Sequence, residues 1–255
     1  MWAPVVGVLT DIDDTLTRDG AIEPVALGAL ERLNRAGLCV IAITGRPMGW
    51  SRPFALAPPK GWPLAAIVAE NGSVALRARS DGVEIDYVQD TATRAANSIR
   101  LCEVAQRILR EVPGATLARD SAGRVTDIAI DHSEFAHLGS PGIERVVALM
   151  REEGMSASVS SIHINGWFGS HTKLSGARWI VQCLLGRDLD AELHRWVYVG
   201  DSTNDQEMFG HFAMSVGVAN LMRFADQLTV WPSYMAEAER GAGFAEVADA
   251  LLNSR

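Results

Sequence analysis

Short apolar runs, each ended by polar residues, recur along the amino-acid sequence. The first three lie at residues 5–10, 38–43 and 65–69. Apolar runs of this length are typical of strands that are buried on both faces of a parallel sheet. Between the first two runs, Pro24 opens a helical pattern that ends near Gly37. The alternation of strands and helices predicts a parallel α/β sheet with right-handed crossovers.

The pattern changes after Gly72. Two segments, residues 74–76 and 83–88, flank Ser80-Asp81-Gly82, and this arrangement predicts a hairpin. The sequence then predicts helices near residues 92–112 and 143–153 and strands near residues 125–131 and 161–165. We expect residues 78–168 to form a separate α+β domain that is inserted into the parallel one.

The parallel pattern returns after residue 169. The predicted elements are a helix at residues 174–185, strands at residues 196–199 and 213–218, and helical segments at the end. Residues 1–77 and 169–255 are therefore expected to form one parallel-sheet domain.

The charge balance restricts the partners that the protein can have. The 255 residues include 23 basic and 31 acidic side chains, for a net charge of −8. A field of this sign repels polyanions, so we expect neither nucleic acid nor an anionic membrane as a partner. No apolar run reaches the ~18 residues of a membrane span, and no basic region precedes Asp11, so we expect a cytoplasmic protein without a signal peptide.

Three cysteines, Cys39, Cys102 and Cys183, lie far apart in apolar surroundings. We interpret them as reduced, buried thiols, and no Cys-x-x-Cys pair indicates a zinc or redox site.

Polar motifs follow the predicted buried strands, at the edge of a parallel sheet where ligands bind. In Asp11-Ile12-Asp13-Asp14-Thr15, the side chains of Asp11 and Asp13 can share one side of the chain. Two such carboxylates repel each other unless a cation such as Mg²⁺ holds them, and one could attack phosphorus while the other moves a proton. A solvated acidic turn or a helix cap is the alternative.

Two further motifs could bind phosphate. Thr44-Gly45-Arg46 offers a hydroxyl, flexible backbone N–H groups and a guanidinium, although a plain turn has the same composition. Lys173 lies at the start of a predicted helix, where a cation is unfavourable unless an anion is bound. A solvated surface lysine is the alternative reading.

The last motif, Gly200-Asp201-Ser202-Thr203-Asn204-Asp205, follows a short apolar strand. Asp201 and Asp205 supply oxygen ligands for a metal, and Asn204 supplies an amide donor for phosphate oxygens. The segment alone could also be a capped helix start. The coincidence of all these motifs at one sheet edge is what points to a site.

The order Asp-x-Asp-x-Thr, Thr-Gly-Arg, lone Lys and Gly-Asp-Ser-x-Asn-Asp resembles the haloacid dehalogenase-like superfamily. It is most similar to the Cof-like, type IIB phosphatases with a large cap between the second and third motifs, among them sucrose-phosphatase and mannosyl-3-phosphoglycerate phosphatase. The resemblance implies an α/β fold with a Rossmann-like parallel-sheet core and an inserted α+β cap. One departure is that Leu174 follows Lys173, where Cof-like relatives usually have Gly.

The resemblance also implies roles. Asp11 matches the nucleophile, and Asp13 matches the general acid/base. The implied Mg²⁺ ligands are Asp11, Asp13, Asp201 and Asp205, the last also supporting Lys173. The implied phosphate ligands are the Ile12 backbone, Thr44, Gly45, Lys173 and Asn204, to which the composition of the second motif adds Arg46. Glu70-Asn71-Gly72 resembles a turn at the mouth of the site, so Asn71 is a candidate as well.

Substrate specificity is expected in the cap. His163 and Asn165 alternate with apolar residues and share one face of a predicted strand, where they could bind sugar hydroxyls beside Trp167. A solvent-facing strand edge with a buried Trp167 fits the pattern equally well. His132 and His171 are further candidates.

Together these observations predict a Mg²⁺-dependent phosphatase, monomeric or homodimeric. Its substrate would be a small phosphorylated metabolite, best matched by a sugar phosphate or a sugar-glycerate phosphate. A phosphomutase of the same superfamily and a non-catalytic binding protein for phosphorylated metabolites are the alternatives.

Overall fold

The computed structural model describes residues 5–254. The strands are β1 (Gly7–Thr10), β2 (Thr17–Arg18), β3 (Ala21–Ile22), β4 (Cys39–Ile43), β5 (Ala66–Ala69), β6 (Val74–Arg79), β7 (Gly82–Tyr87), β8 (Thr116–Leu117), β9 (Asp127–Asp131), β10 (Ser156–Val159), β11 (His163–Trp167), β12 (Trp196–Gly200), β13 (Met214–Gly217) and β14 (Tyr234–Met235). The α-helices are α1 (Pro24–Arg35), α2 (Met48–Ser51), α3 (Thr91–Glu111), α4 (Ser140–Glu152), α5 (Lys173–Leu185), α6 (Gln206–His211) and α7 (Arg240–Asn253).

The large sheet has the strand order β14-β13-β12-β1-β4-β5-β6-β7. Strands β14 to β5 in this order are parallel, and β6 and β7 are added antiparallel at one edge. Every residue of β1, β5 and β12 is buried, as their apolar runs predict. Because β1 pairs with both β4 and β12, the carboxyl ends of these three strands lie side by side.

Helices cover both faces of this sheet. Helix α1 begins at Pro24, whose fixed φ suits a first helical turn, and buries an apolar face at helical spacing. It packs with α7 in one core that includes Leu30 and Phe244, while α5 and α6 contribute Ile180 and Phe209 to the core on the opposite face. The α/β prediction is confirmed.

A second, antiparallel sheet with the order β10-β11-β9-β8 lies in the inserted segment. Helices α3 and α4 pack on it around a separate apolar core that includes Ile108, Ile130, Leu149 and Ile164. The insertion is therefore an α+β unit with its own core, which we call the cap.

The predicted start of the cap at residue 78 needs correction. Residue 78 falls inside β6, and the hairpin β6–β7 extends the large sheet up to Tyr87. The cap elements begin with α3 at Thr91. Strand β10 was not predicted, because its sequence Ser-Ala-Ser-Val lacks an apolar run and it is positioned by pairing with β11.

The prediction of buried thiols is wrong for two of the three cysteines. Cys102 and Cys183 are exposed and Cys39 is half-buried, and all three are free. Cys102 and Cys183 lie on the solvent faces of α3 and α5, so their apolar sequence neighbours face away from them. Among the described residues, no helix has the length and apolar character needed to cross a membrane.

Candidate active site

The site lies where β1, β4 and β12 end. Asp11 follows β1 directly, and its backbone N–H donates to the carbonyl of Val199 in β12 at 2.9 Å. Its side chain is only 6% exposed. The parallel pairing of the central strands thus places a buried carboxylate next to the segment that follows β12.

Lys173 links the carboxylates of this site. Its Nζ donates to Asp11 Oδ1 at 2.8 Å and to Asp205 Oδ1 at 2.7 Å, and it lies 3.3 Å from Asn204 Oδ1. Although burial acts to lower it, the pKa of Lys173 is raised above its ordinary value by Asp11 and Asp205. The ammonium therefore stays charged at the centre of the cluster.

The start of α5 is held against the sheet by close glycine packing. A Cβ on Gly176 would lie 2.6 Å from the Cα of Gly72, so neither helix nor turn could approach as closely with a larger residue. Thr172 caps the helix by accepting from the N–H of Ser175. The sequence departure after Lys173 therefore leaves the lysine where the motif comparison placed it.

Asp205 is fully occupied by protein donors. Its Oδ1 accepts from Lys173 and from the Tyr198 hydroxyl, and its Oδ2 accepts from the N–H groups of Asp201 and Ser202. These four bonds use the lone-pair sites of one carboxylate. Of the two predicted roles of Asp205, the geometry favours support of Lys173 over direct metal ligation.

Asp11 and Asp201 retain the capacity to bind a cation. One oxygen each of Asp11, Asp201 and Asp205 lie within 4.8 Å of one another. Burial, opposed by Lys173, raises the pKa of Asp11 to about 7, and burial raises the pKa of Asp201 well above its ordinary value. Burial disfavours the anionic form of these carboxylates, and a bound divalent cation would stabilise it. Mg²⁺ suits a site whose ligands are all oxygen atoms.

Free backbone N–H groups support the predicted phosphate cradle. Within residues 5–254, the N–H groups of Ile12 and Gly45 enter no hydrogen bond, whereas the Thr44 hydroxyl accepts from the N–H of Arg46 at 3.0 Å. Asn204 likewise keeps its Nδ2 group available, because only its Oδ1 is engaged. Unpaired donors around a buried lysine form an anion-binding environment.

Arg46 lies in a different position from the one expected for a phosphate ligand. Its guanidinium is buried and binds both carboxylate oxygens of Asp13 at 2.8–3.0 Å. The same group binds Glu134 at 2.6 Å and Asp120 at 3.1 Å, both in the cap. The predicted proton-transfer residue Asp13 is thus tied to the cap through Arg46.

His163 and Asn165, which we expected to bind the substrate, do not line the cleft. His163 and Asn165 are each 2% exposed. The His163 Nε2 lies 2.9 Å from Glu134, and the Asn165 amide donates to the carbonyl of Gly45 and to Asp127. The Asn165 amide thus crosses to the core domain, whereas His163 bonds within the cap to Glu134, which in turn binds Arg46 of the core.

Trp167 and Asn71 make contacts within the fold. Trp167 is buried and its indole N–H donates to the carbonyl of His171 at 2.9 Å. Asn71, in the left-handed region at φ 57°, has its Nδ2 3.4 Å from Asp127 Oδ2. The sugar-binding role predicted for His163 and Asn165 beside Trp167 therefore has no support in the geometry, and Asn71, the candidate at the mouth of the site, is engaged with the cap through Asp127.

A cleft of about 440 Å³ lies between the core and the cap. Its core wall includes Asp13 and Asp201, and its cap wall is formed by His132, Ser133, Glu134, Phe135, Ser161 and Ile162. Of these cap residues, the sequence analysis had singled out only His132. These cap residues lie in loops next to strands. The periodicity of hydrophobic residues does not indicate which loops of the cap face the core domain, so the sequence could not identify them.

Glu70 anchors the cap to the core and was not singled out from the sequence. It is fully buried and has a left-handed φ of 49°. Its carboxylate accepts from the N–H of Met48 in the core and from the N–H groups of Val125 and Thr126 in the cap. The Thr126 hydroxyl donates to it as well.

Glu134 makes the stability of the domain contact depend on pH. Although burial acts to raise it, hydrogen bonds from His163 and Arg46 lower the pKa of Glu134 to about 2. A lowered pKa stabilises the fold above the pKa of the unfolded chain, and this contribution is lost as the pH falls towards 2. The free energy that corresponds to this pKa shift is reduced by solvent screening, because Glu134 is partly exposed. We therefore expect the free energy of unfolding of the wild type to exceed that of Glu134→Gln by about 2 kcal/mol at pH 6.

Urea unfolding of both proteins at pH 6, 4.5 and 3 checks this expectation. The difference should narrow below pH 4.5, and the exposed-site variant Glu31→Gln should show no such trend. A difference for Glu134→Gln that stays constant over this range would contradict the assignment.

The fold and the site geometry can be compared with known proteins. No family model matches the chain, and no curated protein matches its sequence. A solved structure from Thermoplasma acidophilum matches with a TM-score of 0.73 and 15% identity, covering 98% of this chain and 99% of its own. The sucrose-phosphatase of Synechocystis sp., solved with sucrose and phosphate, matches with a TM-score of 0.67 and 17% identity over 98% of both chains. A protein from Plasmodium vivax described as a HAD/Cof-like hydrolase gives 0.67 and 14%, over 99% of this chain and 97% of its own.

These similarities define the fold. The chain has the fold of the Cof-type hydrolases of the haloacid dehalogenase-like class, with a Rossmann-like core and an inserted cap. The resemblance inferred from the four motifs is therefore confirmed for the fold.

Proposed function

We propose that the protein is a Mg²⁺-dependent phosphatase that hydrolyses a small phosphomonoester through an aspartyl-phosphate on Asp11. The observation that supports this most strongly is the position of Lys173, which joins Asp11 to Asp205 beside Asp201 where the central strands end. A buried carboxylate held by a lysine next to unpaired N–H groups is suited to attack a phosphoryl group and to bind its oxygens.

In the first step, an oxygen of Asp11 attacks phosphorus, and the bond from phosphorus to the ester oxygen breaks. Lys173 and the free N–H groups of Ile12 and Gly45 bind the phosphoryl oxygens. Asp205 keeps Lys173 in place through the 2.7 Å contact. This preorganised set of donors stabilises charge on the phosphoryl group without reorganisation during the reaction.

Asp13 moves the proton in both steps. It donates a proton to the departing alcohol, and the resulting carboxylate then takes a proton from the water that attacks the aspartyl-phosphate. Arg46 holds both carboxylate oxygens of Asp13 and so fixes its orientation. Phosphate and the regenerated Asp11 carboxylate are the products of the second step.

The donor set fits Mg²⁺. Lys173 occupies only Oδ1 of Asp11, and the two oxygens of Asp201 each accept one hydrogen bond, from Thr15 at 3.5 Å and from Asn220 at 3.2 Å, so each keeps a lone pair for a metal. The Asp13 carbonyl accepts no hydrogen bond within the described residues. When bound there, Mg²⁺ would supply positive charge next to the phosphoryl oxygens. Because the pKa of Asp11 is raised to about 7 by burial, the positive charge of Mg²⁺ would favour its reactive anionic form.

The cleft indicates a leaving group larger than a simple alcohol. Its volume of about 440 Å³ lies in the range of small-molecule sites. The similarity in fold to a sucrose-phosphatase that was solved with sucrose and phosphate supports a sugar phosphate as the substrate. A sugar-glycerate phosphate is the other substrate that we propose.

Phosphate release from a panel of sugar phosphates, phosphorylated acids and nucleotides tests this function. We expect release with Mg²⁺, its loss in excess EDTA and its recovery when Mg²⁺ is restored. Undiminished release from the metal-free protein would refute the metal requirement. An isomerised sugar phosphate without free phosphate would identify a phosphomutase instead.

A further inference from the structure

Part of the cleft wall is formed by residues that the proposed mechanism does not use. This wall contains Arg223 and Phe224 of the segment Ala219–Gln227, which follows β13. Phe135 and Ser161 of the cap line the same cleft. Because Asp13, the proposed proton donor to the leaving group, lines the same cleft, we place the leaving group of the phosphomonoester in this space.

Most of the charged groups in the cleft are already paired with one another. Arg46 binds Asp13 and Glu134, and Arg240 binds Asp14 at 2.6 Å. These bonds are short and their arginines are largely buried, at 4% and 12% exposure of the side chain. Neither guanidinium is therefore free to recognise a leaving group.

Arg223 differs from the other two cleft arginines. Its side chain is 50% exposed, and its contact within the described residues is a 3.4 Å bond to Glu239, which is itself 48% exposed. An exposed pair of this length contributes little to stability and is readily exchanged for a ligand. Arg223 is thus the cleft cation that can bind a substrate anion at small cost.

The charge around Arg223 restricts which anion fits. The cleft also contains Asp14, Asp19 and Glu134, so a second phosphate on the substrate would bring further negative charge against these carboxylates. A carboxylate brings one charge, and its planar shape matches the donor fork of a guanidinium. Phe135 is 57% exposed, and together with Phe224 it offers an apolar surface for the carbon skeleton.

We propose that Arg223 is a specificity-determining residue that binds a carboxylate on the leaving group, so that the substrate is the phosphomonoester of a hydroxy acid or of a glycoside of one. This inference rests on the proposed phosphatase function and narrows its substrate class. The serine hydroxyl at Ser161, which makes no hydrogen bond within the described residues, lies on the cap side of the same cleft and can bind a neighbouring hydroxyl.

Two esters of equal size test the proposal, because 3-phosphoglycerate carries a carboxylate where glycerol 3-phosphate carries a hydroxymethyl group. For the wild type with Mg²⁺, we expect kcat/KM to be at least roughly tenfold higher for 3-phosphoglycerate, as expected for one charge-assisted contact. Arg223→Gln should remove this preference, and Arg223→Lys should retain part of it. The matched control Arg35→Gln, on the exposed face of α1, should keep it unchanged.

Turnover of p-nitrophenyl phosphate by the wild type, measured alongside, separates the two claims. If this ester is hydrolysed but the carboxylate preference is absent, or survives in Arg223→Gln, the role of Arg223 is wrong and the phosphatase function stands. If the wild type hydrolyses none of the three esters but releases phosphate from panel members that lack a carboxylate, the role of Arg223 is wrong and the phosphatase function stands. If no ester of the panel releases phosphate with Mg²⁺, the proposed function fails and the role of Arg223 fails with it.

Discussion

Asp11→Asn should fold like the wild type, and its rate of phosphate release should be lower by a factor on the order of 10⁴ or more. An amide cannot form the aspartyl-phosphate, whereas its oxygen can still accept the bond from Lys173. Because burial raises the pKa of Asp11 to about 7, loss of the charge should not destabilise the metal-free protein. Steady-state phosphate release and thermal unfolding at pH 8 provide the two measurements.

The control for this variant is Asp81→Asn, in the exposed turn between β6 and β7. It changes the same functional group far from the cluster and should retain wild-type turnover. A residual rate for Asp11→Asn within tenfold of the wild type would overturn the nucleophile assignment. Loss of cooperative unfolding would instead mean that Asp11 is needed for the fold.

Glu70→Ala should lower the free energy of unfolding by about 3–5 kcal/mol. The variant leaves the buried N–H groups of Met48, Val125 and Thr126 without their acceptor, and each unsatisfied buried donor costs about 1–3 kcal/mol. Some of that cost is offset where water enters the space left by the side chain. The midpoint of thermal unfolding should fall by roughly 10 °C.

Two comparisons make the result specific to the domain contact. Glu31→Ala, on the exposed face of α1, should change stability by no more than about 0.5 kcal/mol. In Glu70→Ala, the amides of Val125 and Thr126 should exchange hydrogen faster than in the wild type. Equal stability of the two variants, with unchanged exchange at these amides, would show that Glu70 does not hold the cap.

The central strands and the motifs behind them could be predicted because their signals are local. The apolar runs that became β1, β4 and β12 are buried on both faces, and no other element type hides so short a run so completely. Once those strands are adjacent, Asp11 and the segment after β12 must meet. The cluster around Lys173 follows from this topology.

The domain contact could not be predicted, because its partners are far apart in sequence. Arg46 and Glu134 are separated by 88 positions, and Glu70 and Thr126 by 56. Such pairs are set by how the cap sheet rests on the core, which hydrophobic periodicity does not encode. The same limit explains why His163 and Asn165 were assigned to the substrate, although Asn165 bonds to Gly45 of the core and His163 bonds to Glu134 within the cap.

The start of the cap was misplaced for a related reason. Strands β6 and β7 form a hairpin at the edge of the large sheet, and β7 is only half-buried along its whole length. An edge hairpin with polar positions has the same local pattern as the α+β segment that follows it. Only the pairing of β6 with β5 assigns it to the core.

The most direct test of the account is to trap the covalent intermediate. The protein with Mg²⁺ and a substrate would be quenched in acid during turnover, reduced with borohydride and digested for mass spectrometry. The account predicts that position 11 alone is converted to homoserine, only when substrate is present, because an acyl phosphate is reduced and a free carboxylate is not. Homoserine at Asp13 or Asp201, or an unmodified Asp11 in a protein that is releasing phosphate and accumulating a covalent phosphoryl group, would contradict it.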